Sequence, residues 1–247
     1  MQITPHILKG TVNIPSSKSE VHRAVICASL AKGRSRISNV TLSDDILATV
    51  GGLKALGADI KISREECTNT AVIETGEFVK NEDKEIIIDC NESGSTLRFL
   101  IPVALSIYDT VTFTGKGRLA QRPLDVYFDL FDKNSISYEH GKNYLPLTVN
   151  GKLAANKFEI EGNISSQFVT GLMLASGINK NNTEISIAGL LESQPYIEIT
   201  RDIKKRFGVE SSYNKDKNKY SITSDGYKSA DFKAAGDWSH AGFWLLA

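Results

Sequence analysis

Thr11-Val12-Asn13-Ile14-Pro15-Ser16-Ser17-Lys18-Ser19-Glu20-Val21-His22-Arg23 runs from an extended stretch into the mouth of a helix, and this join decides the fold because it recurs. Serine oxygens cap free helix amides, and those amides with the helix dipole favour an anion. An apolar-periodic segment continues to about Lys32-Gly33. Ser19 and Arg23, four apart, share one helix face, while Val21, Ala24, Val25 and Ala28 fall on the opposite, core-facing side. Lys18 projects from the first turn, so a lysine, an arginine and several hydroxyls converge where the backbone attracts negative charge. An ordinary capped helix with solvated basic residues is the competing reading of this stretch taken alone.

Working outward, the pattern after Thr11–Ile14 predicts a helix over Lys18–Lys32, a strand over Arg36–Val40, a helix over Asp44–Leu56, and strands over Asp59–Ser63 and Ala71–Thr75. The same order returns as strand Glu85–Ile88, helix Gly94–Ser106, strand Thr110–Thr114, helix Pro123–Lys133, and strands Ser135–Glu139 and Leu145–Val149. A third round gives strand Lys157–Ile160, helix Ser165–Ser176, strand Glu184–Ala188, helix Pro195–Phe207, and strands Glu210–Tyr213 and Tyr220–Thr223. The rounds are offset by about 70 to 77 residues. Each second helix leaves through a similar tail: Leu53 to Asp59, Leu130 to Ser135 and Lys204 to Glu210. The fold class is therefore α/β, with three repeated β-α-β-α-β-β units in one domain. A fourth round is expected to begin with a strand over Ala230–Ala234 and a helix opening at Gly236-Asp237-Trp238-Ser239, and its ending inside an apolar run suggests that a second half is missing.

The chain has 247 residues, 41% hydrophobic, with 29 basic and 29 acidic side chains, enough for a large core and without a global charge that would suggest nucleic acid or an anionic membrane as partner. Any anion site must be local. No apolar run approaches a membrane span, and Met1-Gln2-Ile3-Thr4 lacks a signal-peptide pattern, so a cytoplasmic protein is expected. Cys27, Cys67 and Cys90 read as reduced thiols, Cys27 in the core, and His6, His22, His140 and His240 form no metal-spaced pair. Neither a metal nor another cofactor is expected, and a monomer is expected.

Hydroxyl-bearing residues begin the first helix of every round: Ser16-Ser17-Lys18-Ser19, Ser93-Gly94-Ser95-Thr96 and Ser165-Ser166-Gln167. Near-threefold symmetry would aim those helix mouths the same way and add their positive ends. Arginine suits a carboxylate or phosphate because its fork donates two parallel hydrogen bonds, and Arg23, Arg98 and Arg122 stand near the mouths. Gly94 is either a tight-turn residue or a place where a missing Cβ lets a ligand approach the backbone. Arg98 could be an ion-pair partner, Gln167 a helix cap, Ser193 merely the residue before a proline-started helix, and Tyr196 either core or ligand contact. No Ser-His-Asp order, Walker loop or G-x-G-x-x-G is present, which argues against a hydrolase, a nucleotide kinase or a dinucleotide enzyme.

Five ordered motifs spanning nearly the whole chain carry a resemblance: Pro15 to Ser19 with Arg23, Asn91 to Arg98, Gln121-Arg122-Pro123-Leu124, Ser165-Ser166-Gln167-Phe168, and Ser193-Gln194-Pro195-Tyr196-Ile197. Together they resemble the 5-enolpyruvylshikimate-3-phosphate synthases, the 3-phosphoshikimate 1-carboxyvinyltransferases. The related UDP-N-acetylglucosamine enolpyruvyl transferases, which typically carry Lys-Asn where this chain has Lys18-Ser19, are one alternative. A stand-alone, non-catalytic anion-binding module is another.

The resemblance implies a two-domain enzyme with three such units per domain and the active site in the cleft between them. Its chain crosses between domains twice, so residues 15–226 would be the complete domain, with 1–14 and 227–247 belonging to the second. It implies shikimate-3-phosphate contacts from Lys18, Ser19, Arg23, Ser165, Ser166, Gln167 and Ser193. It also implies that Lys18, Gly94, Arg122 and Gln167 face phosphoenolpyruvate, and that Lys18, able to touch both anionic substrates, is the candidate catalytic residue. Arg98 receives no ligand role. The implied reaction adds the 5-hydroxyl of shikimate-3-phosphate to phosphoenolpyruvate through a tetrahedral intermediate and releases phosphate. Glu92 stands where asparagine is usual and Ser95 where threonine is common, and Glu92 adds negative charge near an anionic ligand. The family's acidic catalytic residues lie in the half beyond Ala247, so this chain alone is expected to be inactive.

Overall fold

Side-chain hydroxyls start the helices that organise the molecule. Ser17 accepts from Glu20 N ahead of α1 (Lys18–Ser29), Ser43 from Ile46 N ahead of α2 (Asp44–Ala55), and Ser93 from Thr96 N ahead of α3 (Gly94–Leu105). Ser165 does the same ahead of α5 (Ser166–Ala175), accepting from Gln167 N. The computed structural model describes residues 9–65, 70–82, 85–162, 165–178, 182–189 and 193–246. His6 and Cys67, and the start of the segment 1–14, lie outside the described residues.

The first unit continues α1 with β1 (Ser35–Val40), α2, β2 (Ala58–Arg64) and β3 (Ala71–Phe78). The second is β4 (Ile87–Asp89), α3, β5 (Thr110–Thr114), α4 (Asp125–Lys133), β6 (Ser137–His140) and β7 (Leu147–Asn150). The third is β8 (Lys157–Glu161), α5, β9 (Thr183–Ala188), α6 (Gln194–Arg206), β10 (Glu210–Asn214) and β11 (Lys219–Thr223). The last elements are β12 (Asp231–Lys233) and α7 (Trp238–Leu246).

Each unit carries a four-stranded sheet of one topology. Two sheets run β4-β5-β7-β6 and β8-β9-β11-β10, with the first two strands parallel and the remainder antiparallel. The third runs β12-β1-β3-β2, with β12 parallel to β1 through Arg36–Asp231, Ile37–Phe232 and Ser38–Lys233. This corrects the sequence expectation at two places. Thr11–Ile14 is not a strand; the backbone N–H of Ser17 instead donates to Ala235 O at 2.8 Å, and Ser16 makes one isolated bridge to Gly236. Asp231–Lys233 does not open a fourth unit but completes the first sheet. The exposed-buried-exposed pattern of β12 puts Phe232 into the core in the position that Ile88 of β4 and Phe158 and Ile160 of β8 take in theirs. The three-sheet body thus extends past residue 226.

α1, α3 and α5 are apolar on nearly every face and are enclosed by the three sheets and the outer helices α2, α4 and α6. Val21, Ala24, Val25, Ala28 and Cys27 are fully buried, as the helical spacing predicts. The outer helices leave through a left-handed residue in all three units: Gly57 (φ +107°), Ser135 (φ +55°) and Gly208 (φ +79°). The tail likeness seen in the sequence is this shared exit. α4 begins at Asp125, not Pro123, because a 3-10 turn over Gly117–Gln121 precedes it and Pro123 O is taken by a side chain described below. None of the described side chains of α7 is buried; Trp238, Phe243, Trp244, Leu245 and Leu246 face outward. No helix among the described residues is long and apolar enough to cross a membrane.

Candidate functional site

The N-termini of α1, α3 and α5 open into one cavity of about 420 Å³. Lys18, Ser19 and Arg23 enter it from α1, Gly94 and Ser95 from α3, and Ser165, Ser166 and Gln167 from α5 and its cap. Arg122, from the turn before α4, and Ser193 with Tyr196, from the start of α6, complete the ring. All nine residues singled out for ligand contact in the sequence line this one space, drawn from three units and 175 positions of chain, Lys18 to Ser193. Tyr196 is exposed to the cavity and is not core.

Arg23 forms the floor. It is buried, yet its guanidinium faces no carboxylate at ion-pair distance among the described residues. Instead Nε donates to Thr200 Oγ1 at 2.7 Å, Nη1 to Ser19 O at 2.7 Å, and Nη2 to Tyr196 O at 3.2 Å and Thr170 Oγ1 at 3.4 Å. The cation also sits 5.0 Å over the Phe99 ring. Burial pulls its pKa down to about 10, leaving it charged at neutral pH. A buried cation whose donors go to hydroxyls and carbonyls retains its charge for a ligand above it.

Beside Arg23 on α1, His22 is buried in the other direction. Its Nδ1 lies 2.7 Å from Thr49 Oγ1, which lies 2.7 Å from Thr96 Oγ1, and Thr96 reaches Ser93 Oγ. This hydroxyl chain joins α1, α2 and α3 beneath the cavity. Burial, with Arg23 adding to it, holds His22 down at about 3, so the imidazole is neutral; its Nε2 has no partner.

Gln167 and Arg98 form the wall between the second and third units. Gln167 Oε1 accepts from Arg98 Nη1 at 2.8 Å, and Nε2 donates to Ser95 Oγ at 2.9 Å. Arg98 Nη2 donates to Pro123 O at 3.1 Å, and its guanidinium lies 4.7 Å over Phe168. Arg98 therefore makes no structural ion pair, and Gln167 is more than a cap. Burial holds the Arg98 pKa below the ordinary arginine value, with Arg122 adding to the effect.

The rim is looser. Lys18 Nζ meets Asp45 Oδ2 at 2.6 Å, with 53% and 31% of the two side chains exposed. Such a pair contributes about 0–1 kcal/mol, so an incoming anion displaces Asp45 at small cost. Arg122 has no hydrogen-bond or ion-pair partner among the described residues; its Nη1 occupies space that a Cβ on Gly94 would take, 2.4 Å away. What approaches Gly94 in this structure is thus Arg122. Glu92, also in the lining, is exposed and equally unpartnered.

Asp45 and Phe99 were not singled out in the sequence as site residues. Ser43-Asp44-Asp45 reads as a helix cap with acidic residues in its first turn, and nothing local separates Asp45, which reaches Lys18, from Asp44, which points to solvent. Phe99 reads as one more apolar residue of α3.

An α/β body of three like units around a single cationic cleft describes a class of anion-binding proteins. The comparisons narrow the class: the family model described as EPSP synthase (3-phosphoshikimate 1-carboxyvinyltransferase) matches residues 3–247, and the chain belongs to that family. The 3-phosphoshikimate 1-carboxyvinyltransferase of Clostridium perfringens is 42% identical over 245 residues, which are 99% of this chain and 57% of that protein. That of Clostridioides difficile is 42% identical over 252 aligned residues, again spanning 57% of its length. Among solved structures, an EPSP synthase of Acinetobacter baumannii superposes with a TM-score of 0.77 at 18% identity, covering 96% of this chain and 52% of that one, a likeness of fold. The chain thus spans a little over half the length of the relatives it matches.

Proposed function

We propose that the protein serves transfer of the enolpyruvyl group of phosphoenolpyruvate to the 5-hydroxyl of shikimate-3-phosphate, with release of phosphate, and that this chain supplies the wall that binds shikimate-3-phosphate. The observation that carries the reading is the convergence of Lys18, Arg23, Arg122 and three serine-rich helix mouths on one cavity. Both substrates are anions, so the first task of the site is to neutralise and orient them. In this reading the fixed Arg23 and the helix amides hold the phosphate and hydroxyl groups of shikimate-3-phosphate with Ser19, Ser165, Ser166, Gln167 and Ser193. Lys18, exchanging Asp45 for substrate, reaches the second anion beside Gly94, Arg122 and Gln167, and assists the proton transfers. Residues 15–226 with β12 form one domain, and α7 with residues 1–14 belongs with a second. The protein works as a cytoplasmic monomer.

The test is a pair of assays on the chain. Saturable calorimetric binding of shikimate-3-phosphate, lost on Lys18→Met, is expected. Phosphate release when both substrates are supplied is not expected from the chain alone; turnover would contradict this division of labour. Absence of binding would remove the reading. No observation favours the UDP-sugar transferase, since Ser19 stands at the position where asparagine distinguishes it, and the non-catalytic module would bind and show no turnover even when the missing span of a relative is joined to it.

A further inference from the structure

Arg98 carries a geometry that the ligand reading leaves unexplained. Its fork contacts two different units at once: Nη1 reaches the α5 side chain Gln167, and Nη2 reaches Pro123 O, the carbonyl next to Arg122. Phe168, one residue after Gln167, lies under its plane at 4.7 Å, and Tyr127 OH, from α4, donates to the Arg98 carbonyl at 2.5 Å. A guanidinium is donor-only, so whatever faces Nη1 must be an acceptor. This decides the orientation of the Gln167 amide without reference to atom labels: the oxygen faces Arg98 and the NH2 faces away, because the flipped amide would set N–H against N–H. One of the two NH2 hydrogens goes to Ser95 Oγ. The other is left for the cavity that Gln167 lines.

We infer that Arg98 is a positioning residue that locks Gln167 so that it offers a hydrogen-bond donor, and not an acceptor, to an anion in the cleft, while tying the Arg122 turn to the same point through Pro123. A glutamine free to flip presents its carbonyl half the time, which repels an anionic oxygen. With the amide locked, one side chain with no charge becomes a fixed donor between two cationic groups. Arg98 touches no ligand in this account; it acts through Gln167 and Arg122. Its binding consequence rests on the shikimate-3-phosphate reading above, while the amide orientation stands apart from it.

Two measurements separate these. In the ligand-free chain labelled with 15N-glutamine, the Gln167 side-chain amide, assigned by its loss in Gln167→Ala, is expected to give two well-separated proton signals shifted from the solvent-exposed position. Arg98→Met is expected to move both signals toward the exposed position, and Arg98→Lys, which keeps one donor, to move them less. Unchanged signals in both variants would overturn the positioning role whatever the ligand proves to be. If Arg98→Met does not fold, as judged by circular dichroism, the Arg98→Lys comparison decides alone.

The second measurement is a double-mutant cycle read by titration with shikimate-3-phosphate. Arg98→Met and Gln167→Ala are each expected to weaken binding about tenfold, the scale of one charge-assisted hydrogen bond. The double variant is expected to be no weaker than about twentyfold, since Gln167 without Arg98 has little left to lose. Multiplicative losses near a hundredfold would show that Arg98 acts independently of Gln167 and would overturn the inference. If the unaltered chain does not bind shikimate-3-phosphate, the proposed function fails, and the amide signals still decide the role of Arg98.

Discussion

The floor of the cleft and its rim use the same residue types under opposite constraints. Arg23 on the floor is buried and all its nitrogens donate, to Thr200, Thr170 and two carbonyls. Arg122 on the rim is exposed and unpartnered among the described residues, and Lys18 is held only by a half-exposed pair to Asp45. The difference separates pre-organisation from capture. A saturated buried arginine costs nothing to orient when a ligand arrives, because folding has already ordered it. The rim groups stay free to leave weak partners for an anion.

The largest expected effect breaks the floor. Arg23→Met leaves the Ser19 and Tyr196 carbonyls and two threonine hydroxyls without their donor, and a loss of about 3–5 kcal/mol in urea unfolding is expected. A loss below about 1 kcal/mol would show that Arg23 is not integral to the α1–α5–α6 junction.

The interior below the floor makes the next prediction, through pH. His22 titrates near 3 when folded against an ordinary 6.5, so between those values the unfolded chain binds a proton that the folded one refuses. Stability is therefore expected to rise from pH 3 to 6.5, by roughly a few kcal/mol, and His22→Leu to flatten that rise. Lys204, buried with Ser176 Oγ as its hydrogen-bond acceptor and held down at about 7 chiefly by burial, repeats the effect at higher pH. Its contribution grows from pH 7 to 10.5 and is expected to vanish in Lys204→Met, as read by denaturant midpoints across that range.

The rim should respond in binding more than in stability. Gly94→Ala places a Cβ where Arg122 Nη1 now sits, and because that contact is the tip of a flexible side chain, stability is expected to change by less than about 1 kcal/mol. Displacing Arg122 is expected to weaken shikimate-3-phosphate or phosphoenolpyruvate binding about three- to tenfold by calorimetry. Smaller still, Glu92→Gln removes an unpartnered negative charge from the lining and is expected to tighten anion binding about twofold at low salt, the gain fading as salt rises.

The contrast between floor and rim also marks what could be read in the chain beforehand. Helix mouths are local signals: a serine before an apolar 3.6-residue pattern identifies Ser17, Ser93 and Ser165 without any tertiary knowledge, and the three-unit repeat follows from their spacing. Because the mouths converge by symmetry, nine cleft residues could be named from sequence. The pairing of β12 with β1 could not, since a three-residue strand pairs with one 195 positions away, as Arg36 does with Asp231, and no local pattern specifies the partner. The burial of Arg23 was hidden for the same reason. Its face on α1 reads as polar, and the hydroxyls that enclose it stand 147 and 177 positions further along the chain. Asp45 was assigned to a cap and proved to hold Lys18, a role visible only once α1 and α2 lie side by side.

The central claim is that the three helix mouths form one anion site gated by Lys18. Titration of the chain with shikimate-3-phosphate across a salt series, alongside Lys18→Met, tests it most directly. The account predicts one-to-one binding that weakens steadily with salt and falls by tenfold or more in the variant, with the unfolding midpoint unchanged. Binding of equal strength in both proteins, or none in either, would contradict it.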